Sequence, residues 1–272
     1  MICIVNKIVV NNRMWNATNI KLFAVVLMFI DHIHQMFASV GVPEWVDAFG
    51  RPVFPLFLFL AADSFYYTHD RKKYMKRLLI ANWCMVVLIK ITEQLAPNPN
   101  IALINNAFCT FFVTTVYMLA WDTFCEGRKR KDKKKIGKAI LIVLIPILLG
   151  LPLLIIAFLS VNVFIPVFIA QAGIFLCSML PSLFVVEGGV LYVLLGLLLY
   201  IFRKKRMAQI SVVLTYAVVY YMIAGGVQWA IALATIPMLF YNGQKGRGMK
   251  DFFYIFYPTH IIILYLIATL MF

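Results

Sequence analysis

The chain reads as a succession of long apolar stretches separated by short polar ones, and most of these stretches are too long for strands and too uniformly apolar for amphipathic surface helices. The first covers residues 19–40. A second opens at Arg51-Pro52, where proline suits a first helical turn, and runs to Tyr67. A third covers residues 74–94 and closes at Pro97 and Pro99; a fourth covers 105–124. The apolar tract between Lys138 and Arg203 has the length of three crossings, but Pro146, Pro152, Asn162, Pro166 and Pro181 interrupt it. That punctuation predicts two full crossings plus a re-entrant or membrane-parallel piece. An outward helix over 209–224, a turn at Gly225-Gly226, a return helix over 227–241 and a last helix over 252–272 complete the pattern. The expected fold is an all-α integral membrane protein, a bundle of about 8–10 transmembrane helices with some broken or re-entrant. It is expected to form one transmembrane domain over residues 1–272.

The polar positions orient these helices. Lys7, Arg13 and Lys21 precede or open the first apolar stretch, whereas Glu44 and Asp47 follow it. Basic clusters recur at Arg71 to Arg77, Arg128 to Lys135, Arg203 to Arg206 and Lys245 to Lys250, while the segment with Pro97 and Pro99 holds no Lys or Arg. Under the positive-inside rule this predicts a multi-pass plasma-membrane protein with a cytoplasmic N-terminus.

Composition changes the picture in two ways. With 63% hydrophobic and 13% charged residues, no water-soluble fold could hide so much apolar surface. The net charge of +14 lies in short inter-helix loops, not on a folded basic face interleaved with aromatics. That argues against a nucleic-acid partner and for contact with anionic membrane lipid. The five cysteines are scattered, without a CxxC pair or a His/Cys ligand spacing, so neither a disulfide framework nor a metal site is expected. The first apolar stretch is too long for a signal-peptide core and is read as a retained helix.

An ionisable group in hydrocarbon is costly, so it normally faces a bundle interior or an aqueous cavity and has a role there. Asp31, His32 and His34 sit in the outward half of the first helix, Asp63 in the second and His260 halfway along the last. Histidine accepts a proton near neutral pH, which is what deprotonating an amine or hydroxyl nucleophile requires, and His32 is the candidate base. Asp31 is its neighbour in sequence but about 100° away around a helix, so it need not touch His32. A packed histidine bonded to a carbonyl would account for the same spacing. Arg51 can hold a carboxylate or phosphate bidentately, or can anchor the interface by pairing with Glu44 or Asp47. Asn105 and Asn106 open the fourth helix, either as an N-cap or as a donor that orients an acyl carbonyl. Glu187 sits where another helix begins, a favourable place for a carboxylate.

Several words of the sequence together resemble the TraX family. They are NIKLFAVVLMFIDH (19–32), GRPVFPLFLFLAAD (50–63), YYTHDRKKYMKRLL (66–79), NAFCT (106–110), the stretch over 228–246 ending LFYNGQKG, and FYIFYPTHIIIL (253–264). They occur in family order and cover both ends of the chain. The resemblance implies a membrane acyltransferase. The family's type member acetylates the N-terminal amine of a pilin subunit, and its wider kin draw acetyl groups from cytoplasmic acetyl-CoA. Carried onto this chain, Asp31 and His32 match the family's Asp-His. Arg51, Phe54 and Pro55 match its Arg-x-x-Phe-Pro, and Asn106 its Asn before an aromatic and Thr. Tyr257, Pro258 and His260 match its Tyr-Pro-x-His. Glu187-Gly188-Gly189 departs from the family's Asp-Tyr-Gly, having Glu for the acid and no tyrosine. The stretch over 151–181 is longer than the pattern requires and reads as an insertion.

The resulting expectation is acetyl transfer from acetyl-CoA to a peptide or small protein. His32, Asp31 and His260 are expected to be the catalytic group, and Arg51, Asn106 and Tyr257 the residues that bind the acetyl-CoA cofactor. Two other readings stay open: O-acetylation of an envelope glycan, and a proton-coupled transporter or peptide-binding membrane protein.

Overall fold

The computed structural model describes residues 14–38, 41–162 and 165–271, with the Lys250 side chain outside the description. Lys7, Arg13, Cys3, Val40 and Phe272 of the sequence reading lie outside these residues. The described chain is all-helical: α1 (Ala17–Phe37), a 3₁₀ helix (Glu44–Phe49), α2 (Val53–Tyr67), α3 (Arg71–Leu95), α4 (Ala107–Arg130), α5 (Lys133–Leu148), α6 (Leu151–Asn162), α7 (Val167–Ser178), α8 (Gly189–Ile201), α9 (Arg206–Ala224), a second 3₁₀ helix (Gly226–Ala234), α10 (Thr235–Phe240) and α11 (Lys250–Met271).

Among the described residues, seven helical stretches are long and apolar enough to cross a membrane, one of them Lys133–Asn162, which joins α5 and α6, reaches a mean hydropathy of 3.1 and is largely exposed. Its outward apolar side chains, such as Leu141, Ile155 and Phe158, need hydrocarbon around them. The α5–α6 break falls at Leu149-Gly150, where a Cβ on Gly150 would meet the Phe184 ring. Pro146 lies inside α5 and does not end it. The rest of the predicted broken region is α7 and α8, of 12 and 13 residues.

Besides Pro146, two expectations of the sequence reading are corrected. The basic run 128–135 is not a loop: α4 continues through Arg130 and α5 starts at Lys133. Lys131 turns the chain in the left-handed region (φ 53°), and the Asp132 carboxylate accepts from the Lys134 and Lys135 N–H groups. Lys and Arg are good helix formers, so charge alone does not unwind the ends. The return helix over 227–241 is instead a 3₁₀ run followed by the six-residue α10. The adjacent left-handed Gly225 and Gly226, and Pro237 with its missing N–H, explain that tighter and shorter path.

The chain divides into two compact units. One gathers α1, the first 3₁₀ helix, α2 as far as Asp63, residues 96–101 and everything from Leu198 onward. Within it, α11 packs on α1, and the Tyr265 hydroxyl donates to the Ala96 carbonyl at 2.8 Å. The other unit is built around α3, α4 and α5, with Arg71 bonded to Asp122 at 2.7 Å and Cys109, Val113, Val186 and Val193 in its core.

Candidate functional site

In the first unit the site grows from two buried stripes. On α1, Ile20, Ala24, Met28, His32 and Met36 recur every fourth residue and are all buried, so the imidazole of His32 occupies a position where the periodicity calls for an apolar side chain. On α11 the buried set is Tyr257, His260, Ile261, Leu264, Tyr265 and Ala268, a helical stripe of the same kind. Alanines at 24 and 268, both fully buried, let helix backbones approach closely. Packing α1 on α11 brings the two histidines together, 4% and 5% exposed.

His32 Nδ1 lies 2.6 Å from His260 Nε2, and the ring centroids are 4.8 Å apart with 25° between planes. That centroid separation is close to the largest a nitrogen contact this short permits. The rings therefore meet edge to edge, each nitrogen on the line between them, and do not stack face to face. His260 Nδ1 donates to the Phe256 carbonyl at 2.7 Å, a role the carbonyl dictates because it can only accept. With both rings neutral, His260 Nε2 must then accept from His32 Nδ1–H, and His32 Nε2 carries the lone pair. The Phe256 ring stacks on His260 at 4.6 Å, and the rings of Phe29 and Tyr257 stand 6.2 and 6.0 Å from it. Tyr257 thus belongs to the aromatic wall of the pair, 6.4 Å from His32.

Asp31, one residue on, points elsewhere: its carboxylate lies against Gly50, so closely that a Cβ there would overlap it. Gly50 opens the turn into α2, where backbone N–H groups favour an anion. Arg51 is engaged by Asp47, four residues earlier at the 3₁₀ helix, which is the interfacial pairing weighed from sequence. Asp63 accepts from the Tyr241 hydroxyl at 2.8 Å, and the Arg206 guanidinium sits over the Phe59 and Tyr241 rings at 4.4 and 4.9 Å. Tyr241 and Arg206 were not singled out by the sequence reading. The signals available were the position of Tyr241 within LFYNGQKG and that of Arg206 at the end of the basic cluster 203–206.

Asn106 belongs to the second unit and makes its contacts there. It occupies the N-cap position of α4, yet its side chain caps no N–H; its Nδ2 donates to Asn82 Oδ1 at 2.8 Å. Asn82 is fully buried, and the remaining Asn82 Nδ2 and Asn106 Oδ1 have no protein partner, so the pair offers one donor and one acceptor. Beside it on α4, the Thr110 hydroxyl donates to the Glu187 carbonyl at 2.9 Å, holding the Glu187-Gly188-Gly189 turn, where both glycines have positive φ. Asn82→Ala leaves the half-buried Asn106 amide without its acceptor. It is expected to cost about 1–3 kcal/mol, read as a lowered thermal unfolding midpoint in detergent. An unchanged midpoint would show that the amide pair is not structural.

Among the described residues no group of three or more His, Cys, Asp or Glu side chains is placed to hold a metal ion. No curated protein and no solved structure matches the chain. The model of one family, described as TraX protein, matches residues 16–268, an interval that takes in all of α1, α11 as far as Ala268 and every candidate site residue named above. The chain belongs to the TraX protein family.

Proposed function

We propose that this protein is a membrane-embedded acyltransferase that moves an acetyl group from acetyl-CoA to the N-terminal amine of a peptide or small protein. The observation that carries the reading is the buried, edge-to-edge histidine pair, in which a backbone carbonyl sets one tautomer and so leaves His32 Nε2 as the basic nitrogen. Membership of the TraX family supports the reaction class.

The step balances without an oxidant or metal. The amine nitrogen of the acceptor attacks the thioester carbonyl carbon while His32 Nε2 takes the N–H proton. A C–N bond forms, the C–S bond breaks, and the proton passes to sulfur, releasing CoA as the thiol. The positive charge that develops on His32 is shared through Nδ1 with His260, whose own Nδ1–H is held by the Phe256 carbonyl. Tyr257 shields this relay, being itself buried. Asp31 acts at one remove, its carboxylate packed closely against Gly50 beside Arg51.

The test is transfer of labelled acetyl from acetyl-CoA by the purified protein to peptides with free or blocked N-termini and to envelope glycans. Label on free amines alone is expected. Label on envelope glycans instead would move the acceptor to a hydroxyl, and substrate flux with no need for acetyl-CoA would replace the enzyme reading with a transporter.

A further inference from the structure

The second unit has a cavity that the histidine chemistry does not use. It measures about 570 Å³ and is lined by His69, Asp70, Arg71, Lys72, Thr123 and Lys138, with Met75, Leu119 and Ile142. The lining has two tiers. Arg71 and Met75 are four residues apart on α3, Thr123 and Leu119 on α4, and Lys138 and Ile142 on α5. Four residues is about one helical turn, so each of three helices contributes a polar group near its basic end and an apolar group one turn deeper. The helix directions agree with this: α3 and α5 start at their basic ends, and α4 finishes at its own.

Three cations against one carboxylate line the outer tier. Asp70 is already committed, accepting the Lys73 N–H at 2.9 Å. Arg71 is fixed by Asp122 at 2.7 Å and by the Phe65 ring, 4.8 Å beneath its guanidinium. Lys72 and Lys138 are exposed and supply the mobile charge. A solvated surface patch would not need the apolar floor, and a lipid-facing groove would not need the cationic rim.

The geometry points to a binding site for a phosphate ester carried on an apolar or extended chain, with the phosphate among Arg71, Lys72 and Lys138 and the chain along Met75, Leu119 and Ile142. Two sources share that chemistry: an anionic phospholipid entering from the leaflet, and a soluble nucleotide thioester such as CoA entering from the aqueous side. The site stands whether or not the protein transfers acyl groups, because it rests on the α3–α4–α5 cavity alone.

The experiment is native mass spectrometry and thermal unfolding of the full-length protein in mild detergent, with phosphatidylglycerol, CoA, phosphatidylcholine or inorganic phosphate added. Wild type is compared with Lys72→Glu/Lys138→Glu and with the milder Lys72→Ala/Lys138→Ala. Wild type is expected to retain phosphatidylglycerol or CoA about tenfold better than the charge-reversed variant, with the alanine variant between them. Both variants should keep the ligand-free unfolding midpoint, since both positions are exposed. Preference for the lipid or for CoA identifies the source, and either supports the site. Equal retention by wild type and variants overturns it, as does stabilisation by inorganic phosphate as large as that by either amphiphile.

Discussion

His32→Ala is expected to lower acetyl transfer by roughly 10²–10⁴-fold, the range that a positioned proton acceptor contributes. The loss should appear in kcat, because no part of the substrate is held by this side chain in the proposed step. His260 acts through His32, so His260→Ala should cost less, and His260→Gln should recover part of that loss. A glutamine carbonyl can still accept from His32 Nδ1–H and hold the ring, but it cannot take up the proton. That order, His32→Ala worst, then His260→Ala, then His260→Gln, is what a relay predicts; two buried histidines kept only for packing would give losses that track unfolding midpoints instead. Initial rates with labelled acetyl-CoA, alongside thermal midpoints of each variant, separate these outcomes. Undiminished transfer by His32→Ala sinks the assignment.

The second large effect is expected at Gly50. Its φ of −73° is open to any residue, so backbone freedom does not explain glycine there. Space does: a Cβ would overlap the Asp31 carboxylate. Gly50→Val must push either the turn before α2 or the residue preceding His32, a forced repacking that costs about 1–3 kcal/mol in a close-packed setting. Transfer should fall with it, since moving Asp31 moves the helical turn that carries His32. Gly137→Ala is the control: it lies in α5 with nothing within 4 Å of a new Cβ, and should leave transfer unaltered while not lowering stability, alanine being the better helix former. A Gly50→Val protein with wild-type midpoint and rate would show that Asp31 has room to move and no positioning role.

Much of this arrangement is legible in the amino-acid sequence. The apolar lengths announced a helical membrane protein, and the cost of an imidazole in hydrocarbon marked His32 and His260. What spacing could not supply was their partnership, because 228 residues separate them and no local period links α1 to α11. The family words placed both in one set, and the stripes around them place both rings on buried faces. Asn106 shows the opposite case. Its sequence position is that of an N-cap, and only the fold reveals that it turns to Asn82, 24 residues back. Likewise Asp63 could be flagged as a carboxylate in lipid, but Tyr241, 178 residues on, could not be named as its donor. The basic run 128–135 departs from a loop for a local reason: charge does not unwind a helix, since lysine and arginine prolong helices and only Lys131-Asp132 breaks them.

The shortness of α7 and α8 bears on how the molecule is made. Helices of 12 and 13 residues are about 18–20 Å long, against a hydrocarbon layer of about 30 Å. Alone, each would bring open backbone ends to lipid depth, which an isolated segment cannot sustain. They therefore cannot be released sideways into the bilayer one at a time as they are synthesised, in the way α3 or α4 can. Their termini have to be covered by neighbouring helices or by a water-filled cavity, so the stability of this middle tract in the bilayer depends on the helices around it.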